Sequence, residues 1–284
     1  MKSLWRGNAN NSRFGMAAIL ILSGSTGCLG GAPDEDDSVV ITSSPLTFRP
    51  AQSGAGDQGG FSWGSGSPAK AMVPSQGNTC FLTALYGTFR SAGDAVQIGN
   101  QTVNGVPTWV LYGGGGSGTP AASAFCFMGV PAVFAGHWSQ GQAAVDLGSA
   151  TNRTCFLTGI QGNFNTLFST GGVRVRVSGG RWLLDGVPFG ASAYQASATC
   201  VDRASNADIV RTSTGTTELT LNSFEDGPYG CALTCVSGVL AGGALVQTIV
   251  NRPIGAWRWL LGESQASVFL YGRMPLTASA RCIR

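Results

Sequence analysis

Apolar and polar positions alternate along this chain over short runs and never settle into a sustained helical period. "VRVRVSGG" from Val173 puts valines on one side and arginines on the other. "CFLTALYGTF" from Cys80, "RWLLDG" from Arg181 and "ASATCV" from Ala196 are short β-branched or aromatic runs bounded by Gly, Ser or Pro. Runs of this kind predict strands joined by tight turns rather than helices. "PAVFAGHWSQGQAAVDLGS" from Pro131 and "DIVRTSTGTTELTLNS" from Asp208 read as hairpins turning at Gly141 and Gly215, and "FSWGSGSPAKAMVPSQ" from Phe61 is a counterpart upstream. The 43 glycines and the 11% content of charged residues fit many turns between short strands.

The pattern is written three times. Ala-Ser-Ala-x-Cys begins at Ala122, Ala196 and Ala278, each time preceded by Cys-x-Leu-Thr-x-x-x-Gly, which opens at Cys80, Cys155 and Cys231. Between the two stands an apolar run led by tryptophan: "WVLYG" at Trp109, "WLLDG" at Trp182 and "WLLGE" at Trp259. The opening cysteines are 75 and then 76 residues apart, and the tryptophan follows each by 29, 27 and 28 residues. Three motifs in constant order mark tandem structural repeats. The expected fold is all-β: three tandem antiparallel repeats of about 75 residues and about six strands each, over 59–129, 130–203 and 204–284. They could close into one pseudo-threefold body or stand as three sandwiches in a row. The joins read as strands, not Pro-rich linkers, which favours the single body.

Upstream of the repeats the chain changes character. Lys2, Arg6 and Arg13 precede the apolar run "FGMAAILIL" from Phe14 and the small residues "SGSTGC" that end at Cys28. This is the layout of an export signal, and it is too short to span a bilayer. Ser25-Thr26-Gly27-Cys28 resembles the lipobox of bacterial lipoproteins. The resemblance covers roughly the first 30 residues and implies cleavage after residue 27 and acylation of Cys28. It also implies a membrane partner through the lipid, since two or more acyl chains hold a protein on a bilayer. Leu29 is not the Asp that retains enteric lipoproteins at the inner membrane, so the implied destination is the outer membrane. Residues 28–58, with Asp34, Glu35, Asp36 and Asp37, read as a flexible acidic tether between anchor and body.

Charge narrows the partners. Three of the 17 basic residues precede Cys28 and all 14 acidic residues follow it, so the chain after the signal is formally neutral. The body from Gly59 carries 13 basic and 9 acidic residues with no basic stripe, which argues against nucleic acid.

Seven of the eight cysteines follow the tether. In an oxidising compartment, cysteines at repeated positions are read as disulfides, here Cys80–Cys126, Cys155–Cys200 and Cys231–Cys282, each contributing about 3–4 kcal/mol in the chain-entropy picture. Their strands could be neighbours in one sheet or face each other across a thin sandwich. Simple alternation places Cys155, Leu157 and Gly159 on one face. Cys235 is the odd cysteine: a buried free thiol, a rival partner for Cys282 or an intermolecular link. With the sole histidine, His137, nearly a hundred residues away, a metal site at Cys231 and Cys235 is not expected.

No catalytic constellation stands out. His137 could serve a serine with Asp146 as its orienting group, but a histidine on a strand edge beside Trp138 is the simpler reading. Asp202 with Asp208, or Glu225 with Asp226, could pair as glycosidase carboxylates, and nothing singles either pair out. The repeated tryptophans are read as core. Function is expected in the unequal loops "GGGGSGTPA", "GVPFGASAYQ" and "ESQASVFLYGRMPLT" that precede each closing cysteine. Tyr194, Phe269, Tyr271 and Arg273 are the candidate ligand contacts there. The expectation is a surface lipoprotein that is not an enzyme, uses no cofactor, and binds glycan or protein. A structural envelope component is the alternative and a polysaccharide hydrolase the third reading.

Overall fold

A computed structural model describes Cys28 and residues 60–164, 171–187, 193–205, 209–213, 217–224, 230–240, 245–251, 264–271 and 276–283. It gives the backbone alone at 209–213, 217–224, 230, 245–251 and 264–271. The export signal, the tether beyond Cys28, Trp259, Arg273 and the Glu225–Asp226 pair lie outside the described residues. All of the regular structure described is strand, but the runs from Phe61, Pro131 and Asp208 that read as hairpins each send their two strands into different sheets.

The first segment holds β1 (Phe61–Gly64), β2 (Lys70–Pro74), β3 (Asn78–Thr88), β4 (Ala95–Val103), β5 (Val106–Gly114) and β6 (Thr119–Met128). The second holds β7 (Ala132–Ser139), β8 (Val145–Ser149), β9 (Thr154–Gln161), β10 (Gly172–Ser178), β11 (Arg181–Val187) and β12 (Gln195–Val201). The third holds β13 (Ile209–Ser213), β14 (Thr217–Phe224), β15 (Gly230–Gly238), β16 (Leu245–Asn251), β17 (Ser264–Tyr271) and β18 (Leu276–Ile283).

These strands form three six-stranded antiparallel sheets, ordered β1-β6-β3-β16-β17-β14, β2-β5-β4-β9-β12-β7 and β13-β18-β15-β10-β11-β8. Each sheet takes the first, sixth and third strands of one segment and the fourth, fifth and second of another. No sheet is confined to one segment. The pairing of β3 with β16 joins the first segment to the third.

The strands that open with cysteine are the hubs. Cys80 lies directly opposite Cys126, Cys155 opposite Cys200 and Cys231 opposite Cys282, with Cα atoms 3.9, 3.9 and 4.0 Å apart, and each pair is a disulfide. The bridged strands are therefore neighbours within one sheet. β3, β9 and β15 also pack against one another. Near their starts the Phe81 ring lies 4.7 Å from that of Phe156 and 5.4 Å from that of Phe127, in a cluster completed by Val130, Val201, Ala232 and Ile283. Past their ends the Phe89 N–H donates to the Leu240 carbonyl (3.2 Å) and the Leu240 N–H to the Phe164 carbonyl (2.7 Å). Burying each of these large side chains stabilises the fold by about 1.5–3 kcal/mol.

The threonine of Cys-x-Leu-Thr has a structural reason. In all three sheets the register shifts there: Leu82 and Ala84 face Ala124 and Ser123, Leu157 and Gly159 face Ala198 and Ser197, and Leu233 and Cys235 face Ala280 and Ser279. Thr83, Thr158 and Thr234 are each one residue too many for the partner strand, a β-bulge. The bulge corrects the face assignment made from simple alternation. Cys155, Leu157 and Ile160 belong to the main core, so Gly159 lies on the opposite face, because one extra residue reverses the parity of everything after it.

In the first and second segments the two layers approach closely at matched Trp–Gly contacts. Trp63 and Trp138 are 5% and 2% exposed, and a Cβ built on Gly113 or Gly186 would sit 2.7 or 2.6 Å from their ring atoms. Their indole N–H groups donate to the carbonyls of Ser67 and Gln142, four residues on. The repeated tryptophans Trp109 and Trp182 are core, as expected, and donate to the carbonyls of Asn78 and Arg153, two residues before the opening cysteines. A Gly186→Val substitution adds bulk where the Trp138 ring and the Gly172 carbonyl already touch. It should lower the unfolding free energy by about 3 kcal/mol, measured by urea denaturation, with the disulfides intact.

Candidate functional site

The residues expected to touch a ligand divide on inspection. Tyr194 is fully buried, its ring 4.7 Å from that of Phe164 and against the backbone of Gly171. That corrects its assignment as a loop contact: the ring fills space beside a glycine in the core. Phe269 and Tyr271 belong to β17, Phe269 facing Gln247 and Glu218 and Tyr271 facing Leu245. The run "SVFLY" pairs as a strand because its β-branched and aromatic residues favour a ladder over a loop.

The glycine-rich loop of the first repeat also has a structural explanation. Asp94 is fully buried and accepts hydrogen bonds from the backbone N–H groups of Arg90 (2.6 Å), Ser91 (2.8 Å), Gly116 (2.6 Å) and Gly118 (3.1 Å). "GGGGSG" is thus folded around a carboxylate of its own chain. Burial pushes the Asp94 pKa up, but the four N–H donors together outweigh it and hold the carboxyl below its usual range.

Several charged groups on the second segment are likewise paired. Asp185 receives Arg174 Nε (2.7 Å) and Arg176 Nη2 (2.7 Å), and Arg153 meets Asp202 (3.0 Å). Asp146 is bound by Arg181 (2.6 Å), whose hydrogen bond, with that of the Gly148 N–H, holds its carboxyl below the usual range. β7 and β8 enter different sheets, so Asp146 does not orient His137. The partners of His137 are serines: Ser197 Oγ lies 3.2 Å from Nδ1 and Ser139 Oγ 3.3 Å from Nε2. Asp202 is tied to Arg153, and Asp208 lies outside the described residues. Among the described residues no three His, Cys, Asp or Glu side chains gather as a metal site, and no helix is long and apolar enough to cross a membrane.

Cys235 is neither free nor joined to Cys282. It is bonded to Cys28, whose sulfur also lies 3.6 Å from Ser237 Oγ and 3.7 Å from the Thr277 carbonyl. A sulfur in a cystine has no thiol to form a diacylglyceryl thioether, so this bond and a lipid on the Cys28 sulfur are alternative fates of one atom.

What the sequence reading missed is a shallow cleft above Gly159, lined by Gln97, Gln161, Gln195, Ser197 and His137. Register pairs place Tyr112, Gln97, Gly159, Ser197 and His137 in one row across five strands. The neighbouring row holds Ala95, Gln161, Gln195 and Ser139. The other two sheets have matching rows with Ala84 and Cys235 in place of the glycine: Gln247, Ala84, Ser123 and Ser62 in one, Arg174, Cys235, Ser279 and Val210 in the other. The substitution of glycine for alanine and cysteine at a repeated position was the available signal.

No known protein family, curated protein or solved structure matches this chain.

Replacing Asp94 by Ala would strand four inward-facing N–H groups, and should destabilise the protein by about 3–5 kcal/mol in urea titrations at neutral pH. Because the folded-state pKa is depressed, the Asp94 contribution is complete above its unfolded value of about 3.9 and is lost as pH falls through the folded value. Asp94→Asn should therefore show a smaller loss of stability between pH 5 and 2 than the parent.

Proposed function

We propose that the protein is exported to the cell envelope and acts there as a non-catalytic binding module for glycan or protein, carried on a disulfide-stapled β scaffold. The observation that carries this reading is the uncharged polar face over Gly159, where three glutamines, two serines, a histidine and a tyrosine line adjoining strands. The carboxylates Asp146, Asp185 and Asp202 are engaged by arginines and Asp94 by backbone donors, which leaves them committed to structure. A hydrolase panel on the purified protein should show no turnover; turnover abolished by His137→Ala would replace this reading with an enzymatic one.

A structural role in an assembly of chains has its own support. β7 is the edge of its sheet, and its Val133 and Phe134 side chains are 39% and 43% exposed. An exposed apolar edge strand is a template for pairing with another chain.

The lipobox and the acidic tether support a lipid anchor at Cys28 that holds the body at the outer membrane. Acylation would leave Cys235 as a thiol, whereas an unprocessed Cys28 would close the cystine. Labelled palmitate should enter the wild-type protein and not Cys28→Ser. Equal labelling of both, or recovery of the Cys28–Cys235 peptide from the cell-envelope protein under non-reducing conditions, rules the anchor out.

A further inference from the structure

We propose that the cleft above Gly159 binds an uncharged glycan, an inference that rests on the binding-module reading and assigns it a site and a ligand class. Gly159 has no positive backbone φ, so its conformation does not require glycine. The consequence of glycine there is a low floor, on which Gln97, Ser197 and the Val96 carbonyl (3.4 Å from where a Cβ would sit) close in. A Cβ would meet Gln97 Cγ at 3.3 Å and Ser197 Cβ at 3.5 Å, a contact that small shifts accommodate. Alanine and cysteine stand at the matching positions of the other sheets. In one of these, Cys235 carries Cys28 over the row; in the other, Ala84 fills the place and Ser123 is engaged by Ser62 at 2.9 Å. The Gly159 row alone combines a missing side chain with polar walls.

The chemistry of those walls selects the ligand. Neighbouring strands are about 4.8 Å apart and side chains two residues apart on one face are about 7 Å apart, so the two rows offer a grid that matches the spacing of hydroxyls on consecutive sugar rings. Planar amides of Gln97, Gln161 and Gln195 present a donor and an acceptor side by side, the pattern a vicinal diol requires. Gln161 is held in place by donating from Nε2 to the Ala92 carbonyl at 2.7 Å. His137 links the rows by facing Ser197 with one ring nitrogen and Ser139 with the other. In a neutral imidazole one nitrogen donates and the other accepts, so reversing the tautomer exchanges the roles of the two hydroxyls. Tyr112 ends the row with a ring against Gly99, a surface on which the face of a sugar can rest. No Lys, Arg, Asp or Glu side chain lines the cleft. A uronate or sialate would therefore give up its hydration with no cation to replace it. A peptide would find none of the enclosed apolar pockets that give side-chain specificity.

The test uses the purified full-length protein and exploits the fact that His137 is the only histidine. Its imidazole NMR signals would be followed during titration with cellohexaose, maltohexaose and mannohexaose, and with hexagalacturonate as the charged counterpart. At least one neutral hexasaccharide should shift these signals saturably, and hexagalacturonate should bind at least tenfold more weakly. Gly159→Met, which covers the cleft, should weaken binding at least tenfold while the protein remains folded at the titration temperature. Gln195→Ala, which removes one amide without adding bulk, should weaken it about fivefold and serves if the methionine variant does not fold. Sugar binding that leaves the His137 signals unmoved and survives both substitutions overturns the site while leaving the binding-module reading intact. Preference for hexagalacturonate overturns the ligand class. Absence of binding by all four sugars overturns the inference, and the binding-module reading then stands or falls on a protein partner.

Discussion

The contact on which most of the structure depends is the one among β3, β9 and β15. Each carries a cystine to its neighbour on one face, and beside it, on the other, an aromatic or small residue that packs against the remaining two strands. A strand committed on both faces cannot slide, because slipping by one residue would turn the cysteine and Leu82, Leu157 or Leu233 away from the core. With the hubs pinned, the chain leaves each for a different sheet: β4 follows β3 in sequence but lies beside β9. The units hold one another because each sheet is completed by strands from elsewhere.

This economy of side chains explains the repeated small residues. Ala196 and Ala198 flank the cystine of β12 on its core-facing side, and Trp138 reaches the backbone of Gly186 where any larger residue would collide. Thin layers bring bulky tryptophans into contact across the unit, and their indole N–H groups find carbonyls at fixed offsets. The charged residues then stabilise the periphery in pairs. Asp94 draws two loops together through four backbone donors, so the most glycine-rich stretch of the chain closes around a carboxylate of its own.

Against that occupied background the polar face over Gly159 differs in having glycine where the matching rows have Ala84 and Cys235. The same position on the sheet that ends in β13 is sealed by Cys28, which makes the N-terminal cysteine part of the body in this state of the chain. The sulfur of Cys28 thus decides whether Cys235 is a cystine or a thiol.

The all-β class and three of the four cystine pairs were legible because they depend on local alternation and on cysteines written in fixed order. The core role of Trp109 and Trp182 was readable for the same reason, from the apolar residues that follow them. Tyr194 was not, since its burial depends on Gly171 and Phe164, far from it in sequence, nor was the role of "GGGGSG", which waits for Asp94 from another hairpin. The bulge at Thr158 is the sharpest case. One unpaired residue reverses which face every later side chain occupies, and only pairing with β12 shows that it is there. The sequence by itself determined the all-β class and three of the four cystine pairs, because these follow from short-range periodicity and from cysteines at recurring positions. Tertiary structure decided which strands share a sheet, that Cys28 meets Cys235, and that Gly159 opens onto a polar face, because each depends on partners the chain brings together only on folding.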